Sequence, residues 1–96
     1  MAQVEIAELL YEERAEVKMW SHGIDALQLA EIVMTQQYVI VRNRGNRAAL
    51  HIVYGRDFQG RCIAVPIIPT TFSGVWRAIT AWYCKPAEAT ILNRHS

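Results

Sequence analysis

Cysteine is scarce in this chain: of 96 residues only Cys62 and Cys84 are cysteines. They lack CxxC spacing and are too few for a disulfide framework, so both read as reduced packing residues. Histidine is nearly as thin. His22, His51 and His95 are scattered, and no cluster of His, Cys or carboxylates has ligand spacing, so neither a metal nor another cofactor is expected. Long hydrophobic runs are absent, and none approaches the roughly 20 residues that span a bilayer. The start, residues 1–10, carries Glu5 and Glu8 and no basic stretch, unlike a signal peptide. The expected compartment is the cytoplasm, without a membrane partner. Five glycines and three prolines serve as punctuation, with no repeat, linker or low-complexity tract.

What is present fits one domain over residues 1–96. About half the residues are hydrophobic, which excludes a disordered chain. A core this small gains from a partner, whether another protein or a second copy in a homodimer. The near-neutral total hides a division of charge. Residues 1–41 hold seven acids against two cations, Arg14 and Lys18. Residues 42–96 hold eight cations against two acids, and seven of the eight are arginine. The arginine fork matches phosphate geometry, so the second half suits RNA phosphates or an acidic protein. The halves could equally neutralise each other.

Periodicity predicts an α+β fold: two N-terminal helices, a four-stranded antiparallel sheet and a short C-terminal helix. Ile6, Leu9, Leu10, Val17 and Trp20 stand at helical spacing, with Gly23 as the stop. Asp25 is the expected N-cap of a second helix reaching about Gln36. Strands are expected over Tyr38–Arg42, Ala48–Gly55, Cys62–Ile68 and Val75–Trp82. Turns fall at Arg44-Gly45-Asn46-Arg47 and Asp57-Phe58-Gln59-Gly60. Pro66 requires an edge strand or a distortion, because it has no N–H for a ladder. Parity puts Trp76 and Trp82 on one strand face. Pro86 is placed to start the last helix, ending near Arg94.

Three motifs recur in order: His22-Gly23-Ile24 between the helices, Gly55-Arg56 with Gly60-Arg61 around a turn, and Arg77-Ala78-Ile79-Thr80-Ala81 followed by Glu88. Together they resemble the BrnT family of ribonuclease toxins, within the RelE-like toxin fold, over about residues 20–92. The family's strand opening is missing, and a longer acidic helix is expected in its place. Trp82 stands where an arginine is common, and Leu92 where a tyrosine is. The resemblance implies the toxin component of a type II toxin–antitoxin system, an mRNA endoribonuclease that inhibits translation. It also implies a small cognate antitoxin, commonly with a ribbon-helix-helix part. The rival reading is a non-catalytic toxin-like domain that binds a protein or RNA.

Metal-independent RNA cleavage needs a base for the 2′-hydroxyl, an acid for the leaving oxygen and cations for the developing charge. Candidate catalytic residues are His22, Arg56, Arg61, Arg77 and Glu88. Candidate RNA-binding residues are Trp82 and Tyr83, by stacking, and His51. Each has a purely structural counterpart: a helix-junction hydrogen bond for His22, a satisfied strand histidine for His51, solvated turn arginines, a core tryptophan, and an ion pair for Glu88.

Overall fold

The computed structural model describes residues 5–43 and 49–95. The turn expected at Arg44-Gly45-Asn46-Arg47 lies outside them. The first departure from the sequence reading comes at once. The stretch expected as one helix divides into strand β1 (Glu8–Tyr11) and helix α1 (Glu13–Ser21). Leu9 is buried while Leu10 and Tyr11 remain partly exposed, and β1 pairs in parallel with β5 (Val75–Ala78). That pairing is remote in sequence, and it overrides the local helical spacing. The inward face of α1 is Ala15 and Met19; Val17 and Trp20 of the expected stripe are 59% and 61% exposed.

Helix α2 (Ala26–Thr35) follows the expectation closely. Asp25 accepts a hydrogen bond from the Gln28 N–H at 3.0 Å, and the Gln28 side chain accepts one from the Asp25 N–H at 2.9 Å. This reciprocal box satisfies two helix-end donors. Gly23 turns the chain between the helices with φ +79°, a conformation cheapest for glycine.

The remaining strands are β2 (Tyr38–Arg42), β3 (His51–Arg56), β4 (Cys62–Pro69) and β6 (Trp82–Tyr83). Their order is β1-β5-β4-β3-β2, with β6 also on β4. The β2 to β5 neighbours are antiparallel as expected, but the parallel β1–β5 pair makes the sheet mixed. The expected fourth strand is broken into β5 and β6. Pro66 explains the break. Its carbonyl accepts from the Ile79 N–H at 3.0 Å on the side where β5 ends. N–H and C=O of one strand residue point the same way, so the missing donor falls at the gap between β5 and β6. Pro66 therefore marks a distortion within the central strand and not an edge. The break also separates the tryptophans: Trp76 packs with the main core, and Trp82 with the smaller one.

Two clusters sandwich the sheet. Met19, Ile24, Leu29, Ile32, Val53, Ile63, Val65 and Ile67 fill the side of α1 and α2. Ile52, Tyr54, Ala64 and Leu92 fill the side of α3 (Pro86–Arg94), which starts at its proline. Among the described residues no helix is long and apolar enough to cross a membrane.

The cysteines are not reduced. Cys62 and Cys84 form a disulfide across a sequence separation of 22. Pairing of β6 with β4 creates it: the Cys84 N–H donates to the Cys62 carbonyl at 2.9 Å, and the Cα atoms lie 5.2 Å apart. Only strand register brings the thiols together, so spacing in sequence could not show it. Cys84→Ser is expected to cost about 3 kcal/mol of unfolding free energy by loop entropy. Denaturant titration checks this, with reduction of the wild type giving a similar loss.

Gly55 lies where α2 crosses β3, and a Cβ there would overlap the Ile32 side chain and press on Tyr38. Gly55→Ala should destabilise by about 1–3 kcal/mol, read as a lowered midpoint at unchanged slope.

Candidate functional site

The β3–β4 turn is organised by Asp57, which is only 2% exposed. Its Oδ1 accepts the backbone N–H groups of Gln59 (3.0 Å) and Arg61 (2.9 Å). Its Oδ2 accepts Arg61 Nε at 2.8 Å and Gln28 Nε2 at 3.3 Å. Burial pushes the Asp57 carboxyl up, but the Arg61 backbone, the Gln28 amide and the Arg61 guanidinium together outweigh it and hold the group below its usual range. Gly60, at φ +80°, closes the turn by donating to the Asp57 carbonyl.

Gln28 extends this hub by donating to the Tyr83 hydroxyl at 3.0 Å. The Tyr83 hydroxyl in turn donates to the Gly23 carbonyl at 3.3 Å, and Arg61 lies over the Tyr83 ring at 5.3 Å. One polar corner thus joins the turn, the start of α2, strand β6 and the His22-Gly23 junction. His22 completes it. Its Nδ1 lies 2.9 Å from the Ala81 carbonyl. A carbonyl can only accept, so Nδ1 carries a proton, which fixes the tautomer whose accepting nitrogen is Nε2.

Arg56, Trp82 and Glu88 lie on the opposite face of the sheet. Arg56 Nη2 donates to Asn93 Oδ1 of α3 at 2.5 Å. Glu88 Oε1 accepts the Lys85 N–H at 2.7 Å and Trp82 Nε1 at 3.1 Å. Tyr54 also hydrogen-bonds to Glu88; burial, then the Glu88 charge and this bond, raise the phenol pKa. Glu88 therefore fastens α3 to the sheet.

Arg77 is elsewhere. It pairs in register with Ile68, six residues along β4 from Cys62, or about 20 Å from the turn arginines. Its Nη1 lies 3.4 Å from Glu12 Oε1, both side chains being substantially exposed. His51 meets Trp76 edge-on at 5.6 Å, and its Nδ1 is buried with no hydrogen-bond partner among the described residues. The structure thus brings His22, Arg61 and Tyr83 together, puts Arg56, Trp82 and Glu88 behind them, and leaves Arg77 and His51 apart.

Sequence reasoning missed Asp57 and Gln28 as the organisers. The Asp57-x-x-Gly60 turn signature was the available signal, but a partner 29 residues away has none. It also passed over Arg14 and Lys18, whose i, i+4 spacing puts them on one side of α1. Among the described residues no group of three or more His, Cys, Asp or Glu side chains is arranged to hold a metal.

Folding lowers the Asp57 pKa, so its contribution is complete above the unfolded value of about 4 and is lost as pH falls through the folded value. Stability measured by thermal unfolding should therefore drop below about pH 4, and Asp57→Asn should flatten that acid limb. At neutral pH Asp57→Ala should cost on the order of 3 kcal/mol, leaving Arg61 and Gln28 short of an acceptor. No protein-family model and no curated protein matches the chain.

Proposed function

We propose that this chain is a BrnT-like toxin domain, the toxin half of a type II toxin–antitoxin pair, which cleaves mRNA without a metal ion. The observation that supports it best is His22. It is an exposed histidine whose tautomer is set by the Ala81 carbonyl, beside Tyr83 and the Arg61 stacked on that ring. In this reading Nε2 takes the 2′-hydroxyl proton. Tyr83 stacks on a base, and Arg61, committed to Asp57, holds that ring in place.

The antitoxin has a natural seat on α2. Leu27 and Met34 are 64% and 66% exposed one helical heptad apart. Phe58, 61% exposed, follows on the β3–β4 turn, which is tied to α2 by the Phe58 N–H donating to Glu31 Oε1 at 2.9 Å. Exposed apolar clusters of this kind suit protein partners.

A second reading, a non-catalytic RNA- or protein-binding domain, is favoured by Glu88. Its carboxylate is already engaged by Lys85, Trp82 and Tyr54, so it is a fastening of α3 and a poor base.

The two readings separate on one comparison. Purified protein is incubated with mRNA in chelator, beside His22→Asn, whose amide can still donate to the Ala81 carbonyl. The toxin reading expects cleavage by the wild type and a loss of at least about 100-fold in the variant with RNA affinity retained. Binding without turnover would favour the second reading. Absence of cleavage, of RNA binding and of growth arrest on expression would end both RNA readings.

A further inference from the structure

The acidic first half of the chain contains only two cations, and the fold puts both beside Arg77. A cleft of about 180 Å³ is lined by Glu12, Arg14, Lys18 and Arg77 over a floor that includes Ile68 and Ile79. Arg14 and Lys18 come from adjacent turns of α1, and Arg77 comes from β5. The three positive charges meet one carboxylate, that of Glu12. Among the described residues neither Arg14 nor Lys18 has a carboxylate partner.

This is the wrong arrangement for simple neutralisation of the two halves. An acidic helix meeting a basic sheet would present its glutamates to the arginine. Here it presents its only arginine and lysine as well, and Glu12 at its N-cap is the one carboxylate in the lining. Like charges converging on one cleft repel each other unless an anion joins them. The volume is below that of pockets for drug-sized ligands and fits a single small oxyanion.

We propose that this cleft is a phosphoryl-binding subsite, with Glu12 as a displaceable internal occupant. A carboxylate and a phosphate oxygen make the same charge-assisted contact with a guanidinium. The Glu12–Arg77 pair is solvent-exposed, so it is held weakly and yields to a better anion. The class of ligand is a phosphoryl group, from an RNA backbone or from free phosphate. Resting on the toxin reading, the RNA source has a geometric attraction. His22 lies four residues beyond Lys18 in the same helical row, about 6 Å further along α1. A strand anchored in the cleft would lead toward the His22 corner, so the cleft positions RNA and does no chemistry.

The test is titration of the oxidised 96-residue chain with inorganic phosphate and, separately, with a single-stranded RNA oligonucleotide. The readout is amide resonance shifts. Phosphate is expected to move residues 12–18 and 77–79 in the wild type. Arg14→Ala with Lys18→Ala should weaken phosphate binding about tenfold, and Glu12→Gln should tighten it about threefold. These side chains lie at the surface, so the variants keep the fold, which the unchanged remaining resonances verify. If phosphate leaves residues 12–18 and 77–79 unmoved, the subsite is overturned. If Glu12→Gln does not tighten binding, the role of Glu12 as occupant is overturned. RNA shifts at the cleft and competition with phosphate support the nucleic-acid source. Phosphate binding there without RNA binding supports the subsite and counts against the toxin reading. RNA cleavage with shifts confined to the Arg61–Tyr83 corner overturns RNA as the source of the cleft's ligand and leaves the toxin reading standing.

Discussion

The buried Asp57 carboxylate is the constraint on which the rest of this structure depends. It gathers two backbone N–H groups, a guanidinium and a side-chain amide, and it remains ionised because these donors together exceed the cost of burial. Through Gln28 it reaches the Asp25 cap of α2 and the Tyr83 hydroxyl. The turn between β3 and β4, the start of α2 and the short strand β6 are therefore one polar unit. The Cys62–Cys84 disulfide and the Glu88 contacts fasten the same end of the sheet from its other face.

This has a direct consequence for function. A turn arginine that looks like a free cation in sequence is fixed by Asp57 Oδ2 and by the Tyr83 ring. Arg56 is likewise directed to Asn93 of α3. The basic character of the second half thus splits by position. At the β4 start it builds structure and frames His22. At the β5 end it joins Arg14 and Lys18 around an anion-sized cleft. The charge division in the sequence was real, but the fold does not place one acidic body against one basic body.

What could be read in advance was local. The Asp25 cap, the Gly23 stop, the Pro86 start and the Asp57–Gly60 turn all rest on chemistry within a few residues, and each took the expected form. What could not be read depends on register between distant segments. Strand β1 exists because β5 offers it a parallel edge, although Leu9, Leu10 and Val17 keep helical spacing. The disulfide exists because β6 follows the Pro66 break and pairs beside β4. Trp76 and Trp82 part company at that same break. The proposed site was legible as a set of residue types. Its division between two faces and two ends was not, because faces are assigned only once the broken strand is seen.

The central claim is that an RNA partner is met at the Arg77 cleft while Arg61 is committed to the Asp57 hub. The most direct measurement is the salt dependence of single-stranded RNA affinity for Arg77→Ala and for Arg61→Ala, each at a temperature where it is fully folded. The account predicts that the slope of log affinity against log salt falls by about 0.7 in Arg77→Ala and stays unchanged in Arg61→Ala. A slope that falls in Arg61→Ala and holds in Arg77→Ala would contradict it.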